Sequence, residues 1–357
     1  MSIRKKILLS PLDWGMGHTT RCIPLIEYFI EKNYEVYVAV NHTSLQVLKP
    51  VFPTIHFFEI KGYNVKYAKS RWALPFVLLF QIPKILLAIY REHQWLKKIL
   101  HSYRFHFVVS DNRYGFFSKN TKSIFITHQL NILVPQSKVL AWIVQQVNHY
   151  FLKKYDEIWV PDYKENTQSG KLSASQKALK NVKYIGNLSR FSTSQICTEI
   201  KYDVCVLLSG PEPQRSILEN KILQQMQTLQ YNLVLVRGIK NEKQMQFAKS
   251  EYMMVYDFVN MDELEKLIQS SRVLICRSGY STVMDLMKLN KHAILIPTPG
   301  QTEQEYLADY LSQMKWFNAC HQNHFNLNNE VQTFSQTHFK AFPALNFQLF
   351  QKVIDEI

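Results

Sequence analysis

Short apolar runs rich in Val, Ile, Phe and Tyr alternate with longer amphipathic stretches from one end of the chain to the other. In the first half these runs read KILLS, YEVYVAV, IHFFEI, FHFVVSD, SIFITH, EIWVPD and VKYIG; in the second, YDVCVLLSG, NLVLVRG, YMMVYDF, RVLICRSG and HAILIPTP. Brief apolar runs spaced by helical segments predict parallel strands buried between helices. The polar stretch LSRFSTSQICTEIK has no sustained periodicity and predicts a linker over 187–202. The fold class expected is α/β, with two Rossmann-like doubly wound parallel-sheet domains facing a cleft.

One segment departs from this rhythm. From Trp72 to Tyr90 the chain is almost wholly apolar, long enough for a membrane span by length alone, but Pro75, Gln81, Pro83 and Lys84 interrupt it. Residues 61–104 hold nine Lys or Arg and one acid. A transmembrane helix is rejected on those grounds. Two readings stay open for residues 66–100: an apolar, basic-flanked face lying on an anionic leaflet, or a buried helix pair with a solvated flank.

Composition changes the picture in two ways. At 357 residues the chain is longer than one ordinary domain, and 46% hydrophobic residues suffice for two cores. The net charge of +14 is uneven: residues 1–200 carry 27 Lys and Arg against 12 Asp and Glu, and residues 201–357 carry 15 against 16. Only the first half has a field that attracts polyanions or anionic membranes. No nucleic-acid module is recognisable and the aromatics sit inside apolar runs, so a nucleic-acid partner is not expected. Five scattered cysteines without a C-x-x-C pair fit a reducing cytoplasm and argue against disulfides and structural zinc.

Candidate chemistry begins at PLDWGMGHTTR, residues 11–21, between the first strand and a helix. Gly15 and Gly17 would let the backbone approach a ligand, and Gly15, Met16, Gly17, His18 and Thr19 form a candidate phosphate or acceptor loop. A dinucleotide fold wants a third glycine near Thr20 and an acid ending the second strand; here that strand ends in VAVNH, with Asn41. His18 is then the conspicuous residue, either a helix-end hydrogen-bonding group or a catalytic base. The second constellation is CRSGYSTVMDLMKLNKHAILIPTPGQTEQEYLADYL, residues 276–311, where a strand ends at Arg277, Ser278 and Gly279 turn, and Ser281 and Thr282 open a helix. Asp285, one turn on, suits vicinal hydroxyls such as a ribose diol.

The order of strand, RSGYSTVMD, strand, then PTPGQTEQEY resembles the nucleotide-sugar half of family 28 glycosyltransferases, and GMGH resembles that family's N-terminal glycine loop. Closer still, PLDWGMGHTTRCIPL looks like a bacterial and archaeal group of glycosyltransferases in the same superfamily. The resemblance implies the GT-B fold: an acceptor-binding domain over 1–190 with the basic apolar segment 61–104, a nucleotide-sugar domain over 203–340, and a C-terminal helix over 341–357 packing back on the first domain. It implies that Asp285 takes the ribose hydroxyls of UDP and that Gly279, Tyr280 and Ser281 offer amides to the diphosphate or sugar. It further implies that Gln304 bonds the donor sugar, Phe258 and Val259 read uracil by main-chain contacts, and His18 is a base or acceptor-side group.

Three departures limit what carries over. LLSGPEPQR keeps Ser209 and Gly210 of the family's glycine-rich turn but adds prolines, and Glu305 stands where the family has glutamine beside Gln304. FITHQLN matches the family's His-Glu-Gln-Asn segment only loosely, so the acceptor is left unnamed.

The expected reaction is an inverting transfer of a hexose or N-acetylhexosamine from a UDP-sugar to an unidentified, lipid-linked acceptor at the cytoplasmic face of the inner membrane. His18 is the first candidate base and Asp111, in VVSDNRYG, the second. Arg215, Arg237 and Arg277 are candidate partners of the leaving-group charge, with a structural role for Arg277 left open. No Asp is followed two places on by another Asp, so neither a metal nor another cofactor is expected beyond the donor. A UDP-sugar epimerase or hydrolase on the same frame, and a non-enzymatic membrane-surface protein, are the alternatives.

Overall fold

The computed structural model describes residues 4–63, 74–134, 137–165, 167–176, 178–191, 199–210, 212–239 and 246–357, without the side chains of 74–80 and 246–250. The chain divides into two compact units. Of the described residues, one unit contains 4–63, Pro75–Arg190 and Leu345–Ile357, and the other contains Leu74 and the described part of Phe191–Ala344. Within the expected linker, residues 192–198 lie outside the described residues, as do residues 64–73 of the basic apolar segment.

In the first unit seven strands form one parallel sheet: β1 (Lys6–Pro11), β2 (Glu35–Val40), β3 (His56–Glu59), β4 (Phe107–Asp111), β5 (Lys122–Ile126), β6 (Glu157–Val160) and β7 (Val182–Tyr184). Their order is β3-β2-β1-β4-β5-β6-β7. Leu8 of β1 sits between Tyr37 of β2 and Val108 of β4. The order reverses between β1 and β4, and in open parallel sheets ligands bind beyond the strand ends at such a reversal.

Helices α1 (Met16–Arg21), α2 (Ile23–Glu31) and α3 (His42–Val51) follow β1 and β2. Asn41, standing where a dinucleotide fold would want an acid, caps α3 by accepting from the Ser44 amide at 2.9 Å.

The basic apolar segment forms α4 (Leu74–Ser102), one 29-residue helix that runs through Pro83. Where the buried reading expects a helix pair, residues 74–102 form one helix. Pro83 removes one N–H from the ladder, while the turns beyond it are anchored by Ile85, Ile89 and Leu96, which pack into two core clusters. Its other side leaves Ile82, Leu86, Leu87 and Tyr90 exposed, so the helix is neither wholly buried nor a span. No helix among the described residues is long and apolar enough to cross a membrane. Helix α5 (Lys138–Leu152), capped by Ser137, buries Asn148, His149 and Leu152 and exposes Val139, Trp142, Ile143, Val147 and Tyr150.

The second unit has strands β8 (Tyr202–Leu207), β9 (Leu233–Val236), β10 (Gln246–Ser250), β11 (Met253–Tyr256), β12 (Ser271–Cys276), β13 (Ile294–Leu295) and β14 (Asn318–Ala319), in the order β10-β11-β9-β8-β12-β13-β14. All neighbours are parallel except β10 with β11, and the reversal falls between β8 and β12. The apolar pattern misses β10 because QFAKS has only two apolar positions, and β14 because it is two residues long. Around the sheet lie α6 (Gln214–Gln225), α7 (Met261–Gln269), α8 (Tyr280–Lys288), α9 (Thr302–Gln313) and α10 (Leu327–Gln336). The last helix, α11 (Leu349–Asp355), belongs to the first unit. Its Phe350 meets Tyr28 edge-on and its Asp355 accepts the Tyr28 hydroxyl and pairs with Lys32.

Candidate active site

The turn after β1 is held from three directions. Gly15 adopts φ 97° and ψ 169°, a region open only to glycine, yet a Cβ there would meet nothing within 4 Å. Conformation, not space, therefore requires this glycine. Asp13 accepts from the Tyr63 amide at 3.1 Å, and a Cβ on Gly62 would fall 1.9 Å from the Asp13 carboxylate. Arg113, in the turn after β4, donates from Nε to the Pro11 carbonyl at 2.7 Å and pairs with Glu92 of α4, which also accepts the Tyr63 hydroxyl at 2.6 Å. A buried cation and its partners thus fasten α4 to the loop that carries the histidine.

At the β1/β4 reversal the loop brings His18 onto Asp111, the last residue of β4. His18 Nδ1 lies 3.1 Å from Asp111 Oδ1, and the imidazole is 17% exposed. Asp111 itself is fully buried. Arg21, also buried, donates from Nε to Asp111 Oδ2 at 2.7 Å and from Nη2 to Oδ1, while its Nη1 lies 3.5 Å from Nδ1 of the buried His128. The Cys22 thiol reaches Asp111 Oδ2 at 3.6 Å.

Burial alone would raise the Asp111 carboxyl; Arg21 and then His18 override it and hold the group well below the usual carboxylate range. Burial, followed by the Arg21 charge, lowers the His18 imidazole below its ordinary value against the opposing pull of Asp111. Burial and then Asp111 push the Cys22 thiol well above its usual value, so it stays protonated. The result is an ionised, fully bonded carboxylate beneath a neutral imidazole whose Nδ1–H is committed, leaving Nε2 to accept a proton.

At the second reversal, β8 ends in exposed Ser209 and Gly210, the latter at φ 95° with space for a Cβ 3.6 Å from Thr298 Oγ1. Beside it, β12 runs into Arg277, Ser278 and Gly279, and α8 starts at Tyr280 with no side chain capping its amides. Ser281 and Thr282 are partly exposed in the first turn, while the Tyr280 side chain is buried and only its backbone can face a ligand. Asp285 follows in the next turn, 5% exposed. Gln304 of α9 accepts the Thr298 amide at 2.9 Å, and Glu305 accepts the Gly300 amide at 3.0 Å, so both carboxamide and carboxylate shape the turn before α9. Phe258 and the buried Val259 follow β11.

Three arginines singled out as partners of a leaving group are otherwise engaged. Arg277 is buried and donates to the carbonyls of Ile296, Pro297 and Gln214; burial pulls it down to about 10. Its placement is that of a brace between the ends of β12 and β13 and the start of α6. Arg215 pairs with Glu212 and Glu219, and Arg237 with Glu219 and Asp257. Thr19, read as part of the glycine loop, is instead buried in α1, its hydroxyl 2.7 Å from Ser44 Oγ. Met16 and Gly17 form the first turn of α1 and are partly exposed. Among the described residues no cluster of His, Cys, Asp or Glu is placed to hold a metal ion.

Sequence reasoning brought forward His18 and Asp111 and passed over Arg21 and His128. The signal for Arg21 was present: it stands three residues after His18, so a helix puts both on one face. His128 follows a strand parallel to β4, and only the β4/β5 pairing brings it near.

Residues 214–340 match the glycosyltransferase family 28 C-terminal domain. The chain is similar in fold to the glycotransferase of kitacinnamycin (11% identity, 94% of this chain and 91% of that one, TM-score 0.66). It is similar also to MurG of Acinetobacter baumannii (11%, 94% and 90%, 0.52) and to Arabidopsis thaliana UGT89C1 complexed with UDP-L-rhamnose (11%, 93% and 90%, 0.63). No functionally curated protein matches the chain by sequence. The chain thus shares the two-sheet GT-B fold of these glycosyltransferases, and its residues 214–340 match the family 28 C-terminal domain.

Proposed function

We propose that the protein is an inverting hexosyltransferase that moves a hexose or N-acetylhexosamine from a UDP-sugar to a lipid-linked acceptor without an obligatory metal. The observation that carries the mechanism is the His18 Nδ1 to Asp111 Oδ1 contact at the β1/β4 reversal. His18 Nε2 takes the proton of the acceptor hydroxyl as that oxygen attacks the anomeric carbon and UDP departs. Asp111 keeps Nδ1 protonated and the ring oriented, and does not itself take the proton. Because the nearby arginines are engaged, the uncapped amides of Gly279, Tyr280 and Ser281 meet the diphosphate, and Asp285 takes the ribose hydroxyls.

The same reading puts the first unit on the cytoplasmic leaflet. Exposed apolar residues of α5 recur on one side, with Val139 69% and Trp142 65% exposed, and Lys138, Lys153 and Lys154 lie at the helix ends. Such a helix, in the half of the chain that carries the positive charge, suits an anionic lipid surface.

Titration calorimetry with UDP, dTDP, ADP and GDP in EDTA tests the donor and the metal together. Selective UDP binding in EDTA supports the reading. Selective binding of another nucleotide overturns the donor, and binding that returns only with Mg²⁺ or Mn²⁺ overturns metal independence.

A further inference from the structure

The mechanism above uses two members of the cluster under His18 and leaves unexplained why a third, Arg21, is buried on the same carboxylate. A histidine and an aspartate alone form a pair whose charge is balanced when the imidazole is protonated, which raises the histidine toward imidazolium. The higher the imidazole is raised, the smaller the share of rings free to accept a proton near neutral pH. Arg21 changes that balance. Its Nη2 and His18 Nδ1 converge on one oxygen, Asp111 Oδ1, while its Nε holds Oδ2 at 2.7 Å. Carboxylate and guanidinium already sum to zero, so a second proton on His18 would place an uncompensated cation beside a buried guanidinium.

We infer that Arg21 is a positioning residue that neutralises Asp111 from beneath, so that Asp111 holds and orients His18 as a hydrogen-bond acceptor while Arg21 offsets its pull toward the protonated imidazole. The inference rests on the reading of His18 as the base. Among the described residues, the charged or titratable groups that bear on the imidazole are Asp111 from β4, Arg21 from its own helix and His128 from the turn after β5, the last adding no negative charge. Cys22 touches the same carboxylate as a neutral thiol. Lysine at position 21 would keep the charge and lose the two-pronged grip; glutamine would keep a donor and lose the charge.

Nitrogen-15 NMR of the imidazoles, with His18 assigned by its loss in His18→Asn, tests this in the intact chain. In the wild type, His18 should be the Nδ1–H tautomer with Nε2 unprotonated, and should titrate below about pH 6.5, the ordinary histidine value. Arg21→Gln should move that midpoint up by about one unit, the lower end of the effect of an adjacent charge, while Arg21→Lys leaves it near wild type. An unmoved midpoint in folded Arg21→Gln overturns the inference. So does a wild-type His18 that carries its proton on Nε2 or titrates at or above about 6.5, a result that needs no variant to fold. The base assignment itself fails separately, if His18→Ala retains full transfer activity.

Discussion

The two strand-to-helix turns at the two sheet reversals treat charge in opposite ways. After β1 the buried charges face one another through side chains: Arg21, Asp111 and His18 form one cluster with the imidazole at its outer edge. After β12 the buried cation, Arg277, donates instead to the backbone carbonyls of Ile296, Pro297 and Gln214. The first arrangement can change the protonation of a group that reaches solvent. The second can only fix where the chain goes, leaving helix amides as the means of holding an anion. On the proposed function, these topologically alike sites would divide the work, proton transfer in one unit and anion holding in the other.

The largest effect expected from breaking this contrast is His18→Ala, which should lower the transfer rate about 10²–10⁴-fold, the range for a lost general base, with an unchanged circular dichroism spectrum. A loss under tenfold would move the base elsewhere. Asp111→Ala should cost about 3–5 kcal/mol of stability by stranding a buried guanidinium, read as a lower urea midpoint. Arg277→Met should also destabilise, by about 1–3 kcal/mol from unpaired carbonyls, yet leave UDP affinity of the folded protein unchanged; weakened UDP binding would place Arg277 on the ligand after all. Asp285→Ala should do the reverse, weakening UDP binding by about 1–3 kcal/mol in calorimetry with a smaller change in stability.

The pH dependence sharpens the contrast further. His18 and Asp111 are both lowered, so the folded state binds fewer protons than the unfolded chain and stability rises with pH. The His18 contribution is complete above about pH 6.5 and is lost as pH falls through its folded value; that of Asp111 is complete above about pH 4 and is lost below. Melting temperatures from pH 8 to 4 should therefore fall on the acid side, and His18→Asn should remove the part of that fall nearest pH 6. The smallest effect concerns the surface: Trp142→Ser should leave stability within about 0.5 kcal/mol while reducing sedimentation with acidic liposomes, and both proteins should lose that binding as salt rises.

Much of this architecture is legible from the apolar runs, because strands of a parallel sheet covered by helices are largely apolar, and twelve of the fourteen strands among the described residues overlap such a run. The same rule hides β10 and β14: QFAKS has only two apolar positions, and a two-residue edge strand is too short to make a run. Pro83 leaves α4 unbroken, because packing of Ile89 and Leu96 outweighs one missing hydrogen bond.

For the site, the chain by itself determined the two glycine turns, His18 beside one of them and Asp285 beside the other, since those signals are local in sequence. Tertiary structure alone decided what the charges do. Arg21 and Asp111 are ninety residues apart and meet because β1 and β4 are neighbours at the reversal. Arg277 looked equally available in sequence, but the carbonyls that take its donors come from the ends of other elements. A charge's partner is set by which strands lie side by side, and that order is a property of the sheet, not of any segment in it.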